Sequence, residues 1–111
     1  MATDEVMVVL RALERWAQDE RQFCQFALAR RKNGKPCREA FDDDAVSWCV
    51  EGKLEVLGDS LISMENAYFA LAHTPTCRDK DPFDVNDGAG GLPAVRQMIA
   101  EAIAMRESAN V

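Results

Sequence analysis

In this 111-residue chain, the residue types able to do chemistry are four cysteines, a single histidine and a lysine set within an apolar helical stretch. Cys49 follows Trp48 inside "DDDAVSWCVEGKLEVLGD", residues 42 to 59. A cysteine attacks only as its thiolate, which at neutral pH needs a base or a cationic neighbour. By helical register the one histidine, His73, falls opposite about Asp44, more than a turn from Cys49. A buried structural thiol is therefore expected rather than a Cys-His dyad, with His73 beside the acidic run Asp42, Asp43 and Asp44. Lys53 lies in the apolar arc of its helix, and Glu65 lies in that of the next. Level across a helical hairpin turning at Gly58-Asp59, the two are expected to approach. Burial can tune such a lysine into a base or nucleophile. The plainer alternatives are a partly buried ion pair, or a lysine reaching past the apolar surface to solvent.

Metal chemistry is poorly served. Cys24, Cys37, Cys49, Cys77 and His73 are numerous enough to ligate zinc, but only His73 and Cys77 have the short spacing that structural sites use. Asp79, Asp81, Asp84 and Asp87 crowd "DKDPFDVNDG", yet no register supplies both the glycine and the glutamate of a calcium-binding EF-hand loop. No metal and no cofactor is expected. The following "NDGAGGLPAV" sets glycines before a helix, where an anion could meet backbone amides, but it lacks the Gly-Lys-Ser/Thr of a phosphate-binding loop. Asn86 or Asp87 is expected to shape a tight turn there with side-chain hydrogen bonds.

The elements that position these residues read as helices. Val6, Val9, Leu10, Leu13, Trp16 and Ala17 recur at helical spacing, predicting a helix over about 4–20 with Thr3 as its cap. Met7 and Val8 fall off that stripe. Near residues 24–37 the Asn33-Gly34 signal and Pro36 predict a short β-hairpin or an ordered loop. The three aspartates 42 to 44 then read as the start of a broad, centrally buried helix over 44–57. A partner helix over 60–73 buries Leu61, Met64, Tyr68, Leu71 and Ala72, with Ile62 and Phe69 widening the stripe. Residues 76–91 are too rich in Asp, Gly and Pro for regular structure. Leu92, Val95, Ile99, Ala102 and Ile103 mark a last helix over about 92–107. The expectation is a single all-α domain, a compact bundle of four helices around a central antiparallel helical hairpin.

Composition narrows function further. Nineteen acidic residues against thirteen basic ones give a net charge of -6, which repels a phosphate backbone and disfavours nucleic acid as a direct partner. The one basic cluster, "RRKNGKPCR" at residues 30 to 38, suits an acidic partner or a solvated loop. No stretch approaches the roughly 20 apolar residues of a membrane span. The acidic, interrupted N-terminal stripe is unlike a signal peptide, so a cytoplasmic location with reduced thiols is expected.

Three stretches, "ERWAQDERQFCQFALARRKNGKPC", "DDDAVSWCVEGKL" and "DPFDVNDGAGGLPAVRQMIAEAI", together resemble a family of small bacterial and phage proteins classed as a domain of unknown function. The matching positions are Ala45, Val46, Trp48, Cys49, Gly52 and Leu54, then Asn86 and Asp87. The chain departs from the family pattern at Lys53, where a small apolar residue is usual, and at Val85, where an aromatic is. The resemblance implies a mostly helical domain of bacterial or phage origin and lends no activity.

The function expected from these features is that of a small acidic, non-enzymatic protein-binding accessory factor, such as a phage or mobile-element inhibitor of a host defence complex, acting on a partner with a basic surface. Its candidate binding residues are Asp42, Asp43, Asp44, Asp79, Asp81, Asp84, Asn86 and Asp87. Trp48, Cys49, Gly52, Lys53 and Glu65 form the expected structural centre. Two alternatives stay open: a small enzyme or ligand-binding domain using the Asn86-Asp87 loop beside the Trp48-Cys49 helix, and a structural homodimer joined through Met7, Val8 and Met105.

Overall fold

The computed structural model describes residues 4–58 and 60–109. Five helices and a two-stranded antiparallel sheet form a mostly helical globule. In chain order they are α1 (Glu5–Trp16), β1 (Ala29–Arg31), β2 (Ala45–Trp48), α2 (Val50–Leu57), α3 (Leu61–Ala72), α4 (Pro82–Asp87) and α5 (Gly91–Ala109). No helix among the described residues is long and apolar enough to cross a membrane.

α1 and α5 follow their sequence stripes. Val6, Val9, Leu10, Leu13 and Trp16 are buried on α1, and Leu92, Val95, Met98, Ile99, Ala102 and Ile103 on α5. The expected cap Thr3 lies outside the described residues, and Asp4 fills that role: its carboxylate accepts the Met7 N–H at 3.2 Å and the Arg106 guanidinium at 2.7 Å. α1 stops at Trp16 rather than near residue 20, and a 3-10 turn over Glu20–Gln22 redirects the chain. That turn is fixed by the Trp16 indole N–H, which donates to the Gln22 carbonyl at 2.8 Å.

The expected helix over 44–57 is half strand. Residues Ala45–Trp48 pair antiparallel with β1, Ala29 opposite Trp48 and Arg30 opposite Ser47, with a bulge between Arg30 and Arg31. The domain is mostly helical, as expected, with this small antiparallel sheet added to the helices. Val46, Ser47 and Trp48 have β-branched, hydroxyl and aromatic side chains that suit a pleated surface, and three pairing residues outweigh one more helical turn. The aspartates before it do not cap a helix: Asp42 accepts the Asp44 N–H at 2.8 Å in a local turn and the Arg31 guanidinium at 3.2 Å. The tight turn anticipated at Asn33-Gly34 is present, with Gly34 at φ 85° and Arg30 bridging to Pro36.

Helix α2 thus begins at Val50. Its cap is Cys49, whose sulfur accepts the Gly52 N–H at 3.2 Å. α3 carries a reciprocal Ser60-Ser63 capping box and packs against α1, α2 and α5. Asp59, the second half of the expected turn signal, lies outside the described residues. The buried face of α3 is Ser63, Ala67 and Leu71, with Met64 and Tyr68 partly covered. Leu61, Ile62 and Phe69, assigned to the core by periodicity, are instead 67%, 70% and 54% exposed. Small residues on the inner face let α3 lie close to its neighbours, which turns the bulky stripe outward. Finally, the segment read as irregular contains a 3-10 turn over Pro75–Cys77 and the short helix α4, with Asp81 and Asp84 in a capping box and Pro82 at its first position.

Candidate functional site

The two sequence stretches singled out above meet at Asn86. At the end of α4 this side chain is fully buried, and each of its polar atoms is used. Its Oδ1 accepts the Val50 N–H at 2.8 Å, satisfying a first-turn donor of α2. Its Nδ2 donates to the Cys24 carbonyl at 3.1 Å and to Asp87 Oδ1 at 2.9 Å. Asp87 Oδ1 in turn accepts the Phe26 N–H at 2.9 Å. From the other side Gln25 donates to the carbonyls of Asn86 and Gly88, at 2.9 and 3.1 Å. Asn86 and Asp87 therefore do not shape the turn into α5. They tie loop 23–28 to the start of α2.

Gly52 completes the junction. A Cβ at this position would sit 2.0 Å from the Leu28 carbonyl oxygen, so only glycine lets the loop lie on α2. Cys49 donates its own N–H to the same Leu28 carbonyl at 3.1 Å.

What the brace holds outward is Phe26. Its φ is 65°, a left-handed conformation that costs a residue with a Cβ roughly 1–2 kcal/mol. The ring is 73% exposed, so no core packing offsets that cost. Beside it lies a shallow cleft of about 540 Å³, bordered by Leu28, Cys49, Glu51, Phe83 and Asp87. Glu51 also borders a second cleft of about 330 Å³, with Glu55, Glu65, Met64, Tyr68 and Phe69. Among the described residues no lysine or arginine lines either cleft. Burial, then Glu55 and Asp81, push the Glu51 carboxyl up. Burial, with Asp81, Glu51 and Asp84 among the nearby charges, pushes the Tyr68 hydroxyl up as well. The carboxylates of α2 and α4 thus share one face and repel one another across it.

Lys53 does not meet Glu65. Its ammonium lies 4.1 Å from the centroid of the Trp48 ring, a cation–π contact, and Glu65 is exposed with no ion pair among the described residues. The split of the expected long helix is the reason. With Trp48 on the strand that leads into α2, its indole folds beneath Lys53 and is held there by its N–H to the Ala40 carbonyl at 3.0 Å. Burial pushes the Lys53 ammonium pKa down.

Cys49 does not have the surroundings of a cysteine nucleophile. Cys49 is 3% exposed, its thiol is pushed up to about 11 chiefly by burial, and its sulfur is engaged with Gly52. His73 is on the surface and contacts the Phe69 carbonyl of its own helix at 2.6 Å, and among the described residues no hydrogen bond or ion pair joins it to Cys49 or to the aspartates 42 to 44. Burial likewise pushes the Cys24 and Cys77 thiols up. Among the described residues no three His, Cys, Asp or Glu side chains are placed to share one metal ion. Asp81 and Asp84 are spent as a helix cap, and Asp79 stands exposed in a left-handed turn at φ 66°. Asp43 and Asp44 are also exposed, away from the braced loop's hydrogen bonds.

A third depression, of about 560 Å³, runs between α3 and α5, with Phe69, His73, Met105 and Arg106 among its walls. Of the residues proposed for a homodimer, Val8 and Met105 are 54% and 46% exposed, while Met7 packs against the core. Sequence reasoning missed Phe26, Glu51, Phe83 and Tyr68. An exposed phenylalanine in a Gln-Phe-Ala context has no sequence mark, whereas the Asp-Pro-x-Asp start of α4 was readable as a capping box. Comparison with protein-family models, with curated proteins and with solved structures finds no match for the chain.

Proposed function

We propose that this protein is a non-enzymatic binding module that offers the face around Phe26 and Glu51 to a basic, partly apolar surface of a partner protein. One observation carries the reading: two adjoining clefts share Glu51, are walled by Phe26, Phe83, Tyr68 and Phe69, and have carboxylates but, among the described residues, no lysine or arginine in their lining. Exposed aromatic groups supply contact area at low entropic cost, and uncompensated like charges supply orientation and attraction to an opposite surface. The backbone strain at Phe26 supports the same reading, since strain that persists without packing benefit concentrates at functional positions. The enzyme alternative lacks an accessible thiolate or a base beside one. A biological setting that fits is an accessory factor of phage or mobile-element origin that covers a basic surface of a host defence complex.

Selection of a displayed random-peptide library against the immobilised protein tests this. Sequences joining Lys or Arg to a bulky apolar residue are expected to be enriched, and the enrichment should vanish on Phe26→Ser and on Glu51→Gln/Glu55→Gln. Enrichment of acidic sequences, or unchanged enrichment on both variants, contradicts the proposal.

A further inference from the structure

The chain itself carries a surface of the kind its acidic face would receive. Residues 30 to 38 hold five basic side chains and no acidic one, which leaves eight basic against nineteen acidic residues elsewhere, a local +5 against -11. Of these five cations Arg30 and Arg31 end β1, and Lys32, Lys35 and Arg38 lie on the turn and return segment that follow it, where Arg30 bridges to Pro36. Two of the five build this hairpin: Arg30 donates to the Gly34 and Gln25 carbonyls, each at 2.9 Å, and Arg31 pairs with Asp42. The other three, Lys32, Lys35 and Arg38, are exposed and have no side-chain hydrogen bond or ion pair among the described residues. Glu51, Glu55 and Glu65 likewise have none. Within one molecule, then, the free cations and the free carboxylates do not meet.

We infer that a second copy of this chain docks its basic hairpin, residues 30–38, into the Phe26–Glu51 face. This rests on the reading that the face takes a cationic protein surface, and it names one such surface. The tight turn at Gly34 makes the hairpin tip narrow, and Pro36 removes a backbone donor from it, so the tip enters as a cluster of side chains rather than as an added strand. The overall charge of -6 on each copy does not forbid the approach. At physiological ionic strength charges more than about 8 Å apart are largely screened, so the opposed groups at the contact decide the sign. Two copies related by a two-fold axis would each place a hairpin in the other's face and close as a dimer, whereas a single hairpin-to-face contact leaves one hairpin and one face free and continues head to tail. Either way association rises with concentration and needs both surfaces. A basic partner protein would compete with it for the same face.

Sedimentation velocity of the full chain tests the inference with two neutralised variants, Lys32→Gln/Lys35→Gln on the hairpin and Glu51→Gln/Glu55→Gln on the face. The side chains replaced lie outside the core, and circular dichroism verifies that both variants are folded. The wild-type average mass is expected to rise with concentration and to fall as sodium chloride is raised. Each variant alone should associate at least about tenfold more weakly. An equimolar mixture of the two should form a dimer and nothing larger, because the intact hairpin of one meets the intact face of the other. A monomeric wild type at low salt overturns the inference. So does a variant that associates as the wild type does, which would point to a contact elsewhere, such as the depression between α3 and α5. If cationic peptides still bind a monomeric wild type, only the self-docking fails. If they too fail to bind, the underlying reading fails with it.

Discussion

Asn86 is the residue on which most of this arrangement depends, because one buried amide joins α4, the start of α2 and the loop that carries Phe26. Asn86→Ala leaves the Val50 N–H and the Cys24 carbonyl without partners, each worth about 1–3 kcal/mol when buried and unsatisfied. A loss of roughly 3 kcal/mol in urea unfolding is expected. Gly52→Ala gives a sharper sign. In an exposed helix interior alanine would add up to about 1 kcal/mol of stability, but here its Cβ meets the Leu28 carbonyl at 2.0 Å. Destabilisation of about 2 kcal/mol or more is predicted, read from the denaturant midpoint. The cysteines make a third prediction at this scale. Burial raises the thiol pKa of Cys24, Cys49 and Cys77 in the folded state, so their contribution is complete below the unfolded thiol pKa and is lost as pH climbs through the folded one. Melting temperature is expected to hold near neutrality and fall between about pH 9 and pH 11, the Cys49 value.

At the scale of elements, α1 and α5 were legible because a single apolar stripe has one way to be buried, and their stripes match the buried faces. β2 was not. Residues 45 to 57 read as an unbroken helix because Ala45, Trp48, Cys49 and Gly52 satisfy the helical period as well as a strand-then-helix does, and periodicity alone cannot separate the two. The deciding fact, pairing with Ala29–Arg31, is not local. The outer face of α3 failed for a related reason: Leu61, Ile62 and Phe69 are apolar, yet the close approach of α1 and α5 selects Ser63 and Ala67 for the inside. Of the site, the motif residues Cys49, Gly52, Asn86 and Asp87 were visible, and one alternative set the Asn86-Asp87 loop beside the Trp48-Cys49 segment, but the hydrogen bonds that join loop 23–28 to both were not legible. The error at β2 also relocated Lys53, which leads to a prediction. A double-mutant cycle between Lys53→Met and Trp48→Leu should show coupling of about 0.5–1 kcal/mol, the size of a cation–π contact at a partly exposed site. The cycle between Lys53→Met and Glu65→Leu should show none. Coupling to Glu65 and none to Trp48 would reverse that assignment.

Across the whole molecule the charge is divided between a basic segment, residues 30–38, and a carboxylate-rich, aromatic face. A uniform charge of -6 would give only solubility and general repulsion of anions. The divided charge gives direction, because it decides which surface of a partner is drawn to which surface here. Amide chemical-shift mapping of the isotope-labelled protein during titration with a selected Lys/Arg-containing apolar peptide tests that claim most directly. The shifts are predicted to concentrate on residues 26–28, 51–55, 65–69 and 83–87, to be lost in Phe26→Ser, and to weaken as pH falls and Glu51, whose carboxyl burial pushes up, protonates. Shifts spread evenly over the acidic surface, or gathered on the depression between α3 and α5, would contradict it.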